Sequence, residues 1–145
     1  MTKHDAVYDF FSKKIKELAE ETLGFNYSPE SVDQISLLTD YSDKVIRSYI
    51  RGAEKEYGFT ITIIKSYSTD IDTLNLDGMN FAQSFMDWLK EQNTKKNFPD
   101  FGTSCQIKKM ENLQNMPNLS GINAKEGLAR YQLQCRIIYF DKEAN

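Results

Sequence analysis

The chain has 145 residues, of which 40% are hydrophobic and 12% aromatic, so we expect one folded domain spanning residues 1–145, neither disordered nor fibrous. Its net charge of −3 and its scattered lysine pairs provide no basic patch, which argues against nucleic-acid binding as the main activity. The sequence has no long apolar run and begins with charged residues, so we expect no membrane span and no signal peptide, but folding in a cytoplasm.

The first predicted element is an amphipathic helix from about Asp5 to Glu21, because apolar residues recur there at three- and four-residue steps. Gly24 is the expected C-terminal stop of this helix. The following segment, FNYSPES, is rich in turn-forming residues, and its Pro29 argues against a continued helix. The apolar face of the helix consists of Val7, Phe10, Phe11, Ile15 and Leu18.

Three strands are predicted next, in the segments DQISLLTD, KVIRSYIRG and YGFTITIIKSY. The polar stretch GAEKE is expected to form the turn between the second and the third. The third strand alternates apolar and hydroxyl side chains, which predicts one dry and one polar face. Its dry face consists of Phe59, Ile61 and Ile63, and its polar face of Thr60 and Thr62 followed by the apolar Ile64.

The period becomes helical again from about Asp72 to Asn93, where aromatic and aliphatic residues form a broad stripe. A helix of this kind has to lie against a sheet in order to bury the stripe. The stripe consists of Phe81, Phe85, Trp88 and Leu89, with Ala82 and Met86 at its edge.

Two further strands, TSCQIKKMENLQ and ARYQLQCRIIYFD, complete a predicted α+β fold in the order α-β-β-β-α-β-β. We expect a mixed, mainly antiparallel sheet of about five strands, packed by the N-terminal helix and one long central helix. If the last two strands form a hairpin centred near Ser120, Cys105 faces Cys135 across it. Because adjacent antiparallel strands rarely meet disulfide geometry, we predict two free thiols in a reducing compartment.

The closing strand has one face that changes character along its length. Gln132, Gln134 and Arg136 make this face polar, whereas Ile138 and Phe140 make its far end apolar. Apolar side chains need a cover. The sequence leaves two candidates for that cover, the long helix of the same chain and a neighbouring subunit.

The sequence offers no recognisable catalytic or metal-binding arrangement. Its single histidine, His4, is expected to be solvated in an N-terminal tail, and with two distant cysteines it gives no zinc-ligand spacing. Asp70, Asp72 and Asp77 do not follow the EF-hand pattern and are better explained as helix caps and Asx turns. No phosphate-binding loop or nucleophile-elbow motif is present, so we expect a protein without a cofactor that is not an enzyme.

Four stretches carry a resemblance to a known family: DKVIRSYIRGAEKEYGFTITIIKSYS, FMDWLKEQNTKKNFPDFG, CQIKKMENLQNMPNLSGI and ARYQLQCRIIYFD. In this order they resemble the minor capsid or tail terminator (tail completion) proteins of tailed bacteriophages that infect Gram-positive hosts. The similarity covers roughly residues 40 to 141. It rests on the residue pattern of these stretches and on their order, because the family has no catalytic motif to match.

The resemblance implies a virion protein that is made and assembled in the host cytoplasm. Such proteins form a ring, usually hexameric, on the head-proximal end of the tail tube, where the ring stops tube polymerisation and provides the surface that joins the head. The implied partners are other copies of the chain, the tail tube protein, head–tail connector or completion proteins and, in contractile tails, the sheath. DNA passes through the lumen without specific binding, and mildly acidic walls suit that passage.

A ring needs two different contact surfaces on each subunit. We expect the apolar ends of the two polar faces, Ile64, Ile138 and Phe140, to contribute to contacts between subunits. We expect the GAEKE turn and the loop from 115 to 125 to contact tube or head proteins, since loops on a rigid scaffold commonly do so. The docking residues that follow from this reasoning are Glu54, Lys55, Glu56, Asn118 and Asn123.

Two other functions stay open at this point. A head-completion or connector-associated minor capsid protein would use the same assembly chemistry elsewhere in the particle. A small-ligand-binding α+β domain would instead use the polar face formed by Thr60, Thr62, Gln132 and Gln134 as a pocket wall, which requires a concave cavity beside that face.

Overall fold

The computed structural model describes residues 2–19, 23–25, 34–70, 72–114, 116–123 and 125–143. The described helices and strands follow one another in the order α-β-β-β-α-β-β-β. They are α1 (Lys3–Ala19), β1 (Leu23–Phe25), β2 (Ile35–Ser48), β3 (Ala53–Ser66), α2 (Asp72–Lys95), β4 (Cys105–Asn112), β5 (Asn118–Asn123) and β6 (Leu128–Asp141).

The strands form one six-stranded sheet in the order β1-β2-β3-β6-β4. Strand β5 also pairs with β6, so that β4 covers the C-terminal half of β6 and β5 covers the N-terminal half. All pairs are antiparallel except β1 with β2. The predicted α+β fold, with a mainly antiparallel sheet and its two helices, is confirmed, although the sheet has six strands and not about five.

Strand β2 replaces two predicted strands and the polar stretch between them. It continues through this stretch because three register shifts against β3 absorb the irregular residues. Asp43, with a φ of 56°, lies among them. The strand therefore continues through a stretch in which the alternation of apolar and polar residues is interrupted.

The hairpin between β2 and β3 turns earlier than predicted. The Tyr49 N–H donates to the Gly52 carbonyl over 3.0 Å, and Gly52 has a φ of 92°, which glycine adopts most readily. Glu54, Lys55 and Glu56 consequently lie in β3, paired with β2 and β6. The predicted GAEKE turn is wrong.

Sequence periodicity misses two short strands. Strand β1 contains Gly24, the predicted helix stop, while α1 already ends at Ala19. Strand β5 occupies the predicted loop between the last two strands. The predicted turn around Pro29 lies outside the described residues, as does the side chain of Leu18.

The core lies between one face of the sheet and both helices. Phe11 of α1 contacts the rings of Phe59 in β3 and Phe85 in α2, with centroids 5.1 and 6.0 Å apart. Each fully buried side chain of this size contributes about 1.5–3 kcal/mol to folding. The sheet side of the core consists of Tyr57, Phe59, Ile61, Ile63, Tyr131, Leu133, Cys135, Ile137 and Tyr139.

The predicted apolar faces of the two helices are largely confirmed. Val7, Phe11 and Ile15 of α1 are buried, and Phe10 is half-buried. The buried stripe of α2 is rotated slightly from the prediction, because its small and flexible residues face the sheet and two of its aromatic rings lie at the side. Its buried residues are Ala82, Phe85, Met86 and Leu89, and its half-buried residues are Phe81 and Trp88.

The two cysteines do not face each other. Cys105 lies opposite Asp141 and Cys135 lies opposite Asn112, so the predicted juxtaposition is wrong. Its cause is β5, which occupies the part of β6 nearest the loop and displaces β4 along the strand. Both thiols are free, and burial raises the pKa of Cys135.

Candidate functional site

Exposed apolar and basic side chains collect around the turn between β2 and β3, and we call this surface the hairpin-tip patch. The turn is held from inside by Phe140, whose Cζ would lie 2.6 Å from a Cβ added to Gly52. The rings of Phe140 and Tyr49 lie 5.8 Å apart. Ile50, at the turn itself, is fully exposed. The patch comprises the apolar Val45, Ile46, Tyr49 and Ile50 and the basic Lys44, Arg47 and Arg51.

The hairpin-tip patch concentrates positive charge on an acidic chain. Its three basic and no acidic side chains contribute +3 to a net charge of −3, which leaves −6 on the rest of the chain. Within the described residues, Arg47 and Arg51 form no ion pair, and the Lys44 Nζ lies 5.1 Å from the centroid of the Tyr41 ring. Tyrosine and arginine beside exposed aliphatic side chains are typical of protein–protein contacts.

The residues predicted for subunit contacts are covered within one copy of the chain. Ile64 and Ile138 are only 3% and 7% exposed, and Phe140 is half-buried against the β2–β3 turn. The β2–β3 turn packs on Phe140, Ile64 lies towards the other end of β3, opposite Arg130, and α2 packs on the opposite face of the sheet. Ile64 and Ile138 therefore offer no free surface to a neighbour, whereas β2 and the turn after it do expose apolar side chains.

Two of the predicted docking residues are bonded inside the chain. The Lys55 Nζ lies 3.1 Å from Asp141 Oδ2 and 3.9 Å from Asp43 Oδ1. Glu56 is buried and accepts a hydrogen bond from Arg136. Because Lys55 and Glu56 belong to an inner strand, they are unsuited to docking, and Glu54 beside them is half-buried.

The other two docking residues lie on a strand and not on a loop. Asn118 and Asn123 are exposed at the two ends of β5, opposite Gln132 and Leu128. Every residue of β5 is exposed, and no described strand pairs with its outer side. Docking through Asn118 and Asn123 stays a prediction, now about a strand edge.

A row of polar side chains crosses the polar face from β2 to β4. The Tyr41 hydroxyl donates to Glu56 Oε2 and the Arg136 Nη1 donates to Glu56 Oε1, each over 2.8 Å, while the Arg136 Nε donates to Glu111. Burial and the bond to Glu56 raise the pKa of Tyr41 to about 12, and the bonds to Glu111 and Glu56 raise that of Arg136. The charged groups of this row are paired with one another, and their hydrogen bonds link the four strands β2, β3, β6 and β4, so the row acts as a brace across the sheet.

A second polar cluster, on the helix side, joins the start of α1 to the sheet. The Tyr139 hydroxyl donates to Asp43, and the Lys3 Nζ lies 3.1 Å from the same carboxylate. Burial opposes ionisation of Asp43, but the bonds from Tyr139 and Lys3 outweigh it and lower the pKa of this carboxyl. The cluster ties the irregular part of β2 to β6 and to the first turn of α1.

His4 is exposed, as predicted, but it does not lie in a tail, because α1 begins before it. The Asp5 N–H donates to Thr2 Oγ1 over 3.1 Å and the Thr2 N–H donates to Asp5 Oδ2 over 2.9 Å, a reciprocal cap that starts the helix. The His4 Nδ1 consequently lies 2.9 Å from the Tyr57 hydroxyl.

A cleft of about 550 Å³ opens beside this second cluster, between α1, β2 and the loop before β4. The charges of its wall are paired locally: Lys3 lies against Asp43, and Asp100 accepts the Gly102 N–H over 2.9 Å. The remaining wall residues are Thr2, His4, Ser42 and Phe101.

The four polar residues predicted to line a ligand pocket do lie together, because Thr60 is opposite Gln134 and Thr62 is opposite Gln132. The Thr60 hydroxyl donates to Asp40 Oδ2 over 2.7 Å. The cleft beside α1 and a second cavity of about 390 Å³ between α2 and β4 are lined by other residues. Neither cavity supports the ligand-binding interpretation of this face.

Within the described residues, no cluster of histidine, cysteine, aspartate and glutamate is arranged to hold a metal ion. Neither α1 nor α2, as far as the structure describes them, is long and apolar enough to cross a membrane. Comparison of the chain with models of known protein families and with curated proteins finds no match.

Proposed function

We propose that the chain is a structural assembly protein of the tail terminator type. In this role it forms a ring, hexameric in the family that it resembles, on the head-proximal end of a phage tail tube. The ring ends tube growth and presents the surface that the head joins. The hairpin-tip patch is the observation that carries this proposal, because exposed aliphatic, tyrosine and arginine side chains together are typical of protein–protein contacts.

Exposed apolar side chains on a contiguous surface commonly mark a contact site. Ile50 is fully exposed at the turn, and Tyr49 beside it is about half exposed. Burying one such side chain in a neighbour contributes about 1.5–3 kcal/mol. In a closed ring this gain is repeated at every contact between subunits.

A ring also needs a second, different surface that receives the first. A groove between α2 and β4 lies at the far edge of the sheet from β2. The almost fully buried Met86 and Met110 lie at this groove, and the rest of its lining is polar or charged: Gln83, Asp87, Lys90, Asn93, Glu111, Asn112 and Gln114. Glu111 is already bonded to Arg136, but Asp87 and the side-chain amide oxygens of this groove can accept hydrogen bonds from arginine, so this groove is the receptor that we assign to the hairpin-tip patch.

The experiment measures the mass of the purified protein by light scattering and images it by negative stain, alone and mixed with tail tubes assembled from the tube protein of the same phage. We expect rings, or caps on one end of tubes that then stop growing. Ile50→Asp should abolish both, while Leu76→Asp, which changes another exposed apolar residue, should behave as wild type.

The proposal fails if the wild-type protein stays monomeric and leaves tube growth unchanged, or if Ile50→Asp caps tubes as well as wild type does. Binding to connector-bearing heads without any effect on tubes would instead favour the head-completion function. Far-ultraviolet circular dichroism of both variants separates loss of assembly from loss of fold.

A further inference from the structure

Strand β5 has an outer edge with which no described strand pairs. No residue of β5 (Asn118–Asn123) is charged or a proline, although proteins usually protect free edges with such residues; Pro117 lies just before the strand. The edge of β2, by contrast, carries Asp40, Lys44 and Arg47 and three register shifts. The edge of β5 is thus open to pairing in a way that the edge of β2 is not.

A bulge in β5 places its two apolar side chains on the same face. Leu119 lies opposite Tyr131 and Ile122 lies opposite Ala129, with Ser120 left out of the register. In a regular strand, residues three apart point to opposite faces. Leu119 and Ile122 instead both point to the helix side, where they remain 41% and 48% exposed.

The bulge also gives the strand a two-fold symmetric pattern. Without Ser120, the paired positions read Asn118, Leu119, Gly121, Ile122 and Asn123, which is symmetric in character about the glycine. Directly opposite residues of antiparallel strands point to the same face. A second copy running antiparallel about Gly121 therefore places Leu119 opposite Ile122 of the other copy, and Asn118 opposite Asn123, with every side chain on a matching face.

The space around Gly121 is compatible with this pairing. It is not among the described glycines with positive φ, and a Cβ built on it meets no atom within 4 Å. Within the subunit, the adjacent bulge is one recognised reason for a glycine in this strand, and the open space beside Gly121 also leaves room for a second backbone. Close approach of another backbone is a recognised reason for glycine at such a position.

We propose that two copies of the chain associate through β5, antiparallel about Gly121, into one continuous sheet. The contact is two-fold and goes beyond the head-to-tail contact of the proposed ring. It lies at the N-terminal half of β6, whereas the hairpin-tip patch lies at the C-terminal end. Because strands of this length bury less than the roughly 1,200 Å² of a stable interface, we expect a weak dimer with a micromolar dissociation constant.

Sedimentation velocity over low to high micromolar concentrations tests this proposal in the full chain. Leu119→Lys and Ile122→Glu should each weaken the dimer at least about tenfold, because each places a charge against an apolar partner. When the two variants are mixed, the heterodimer brings lysine opposite glutamate and leaves the native Ile122 opposite the native Leu119. Association should then recover, while Leu38→Lys, at an exposed residue of β2, should leave the dimer unchanged.

A wild-type chain that is monomeric at every concentration would overturn the two-fold contact, as would a mixture of the two variants that associates no better than either alone. Ile50→Asp should retain the β5 dimer even where it loses the ring. The Ile50→Asp variant therefore tests the proposed function, and the Leu119→Lys and Ile122→Glu variants test this inference, so the two can fail separately.

Discussion

Replacing Arg136 by methionine tests whether the polar row across the sheet is a brace. The variant keeps an unbranched apolar stem but removes the guanidinium that bonds Glu56 and Glu111. The Glu56 side chain is only 6% exposed and would retain Tyr41 as its donor, whereas the Arg136 side chain is 33% exposed. The variant therefore leaves a buried carboxylate without its counter-charge.

The expected loss in the free energy of unfolding lies between two limits. Removing one partner of a fully buried ion pair costs about 3–5 kcal/mol, and an exposed pair is worth about 0–1 kcal/mol. For a buried acid paired with a partly exposed arginine we expect a loss of about 2 kcal/mol in the free energy of unfolding. For a chain of this length that corresponds to a fall in Tm of about 4–8 °C. Urea unfolding followed by the fluorescence of Trp88, the single tryptophan, measures the loss directly.

Two controls make this test decisive. Lys109→Met removes a more exposed partner of Glu111, 3.5 Å away, and should change stability by less than about 0.5 kcal/mol. Adding Glu56→Gln to Arg136→Met should recover part of the loss, because no uncompensated buried charge remains. The brace is refuted if Arg136→Met is as stable as Lys109→Met, or if the double variant is less stable than the single one.

Gly58→Ala should lower stability by about 1–3 kcal/mol, because its Cβ would lie 2.4 Å from the ring of Tyr41; Gly121→Ala, which meets no atom, should not. Equal Tm values for the two variants would contradict this. Because the folded pKa of Asp43 lies below its ordinary 3.8, its stabilising contribution is present above that value and is lost as pH falls through the folded pKa. When urea unfolding is measured from about pH 5 to about pH 2, the free energy of unfolding of Lys3→Met should fall less with pH than that of the wild type. An equal dependence of this free energy on pH in both proteins would count against the pairing.

The elements that the sequence predicts well are those whose side chains repeat on a buried face. Phe11 and Ile15 mark α1, and Phe59, Ile61 and Ile63 mark β3, because a helix or strand that buries one face must repeat at its own period. These residues are buried in the structure, and so the two helices and the central strands follow from local pattern alone.

Register and long-range pairing do not follow from local pattern. Cys105 lies opposite Asp141 only because β5 occupies the remainder of β6, and no local property of either residue reveals this. Arg136 and Glu56 are far apart in the chain and meet only once β3 and β6 pair. The sequence does contain a signal for the hairpin-tip patch, since the run KVIRSYIR has apolar residues on both faces and three basic residues but no acidic residue within it.

The free edges of β2 and β5 differ in chemistry, and the difference suits them to different kinds of partner. The edge of β2 is charged and irregular in register, which discourages strand pairing, so its apolar tip is available only through side chains and suits a groove on another surface. The edge of β5 is uncharged and two-fold symmetric in pattern, so it suits backbone pairing with its own copy. A head-to-tail contact and a two-fold contact are distinct symmetry operations, and one small chain can present both because they lie at opposite ends of β6.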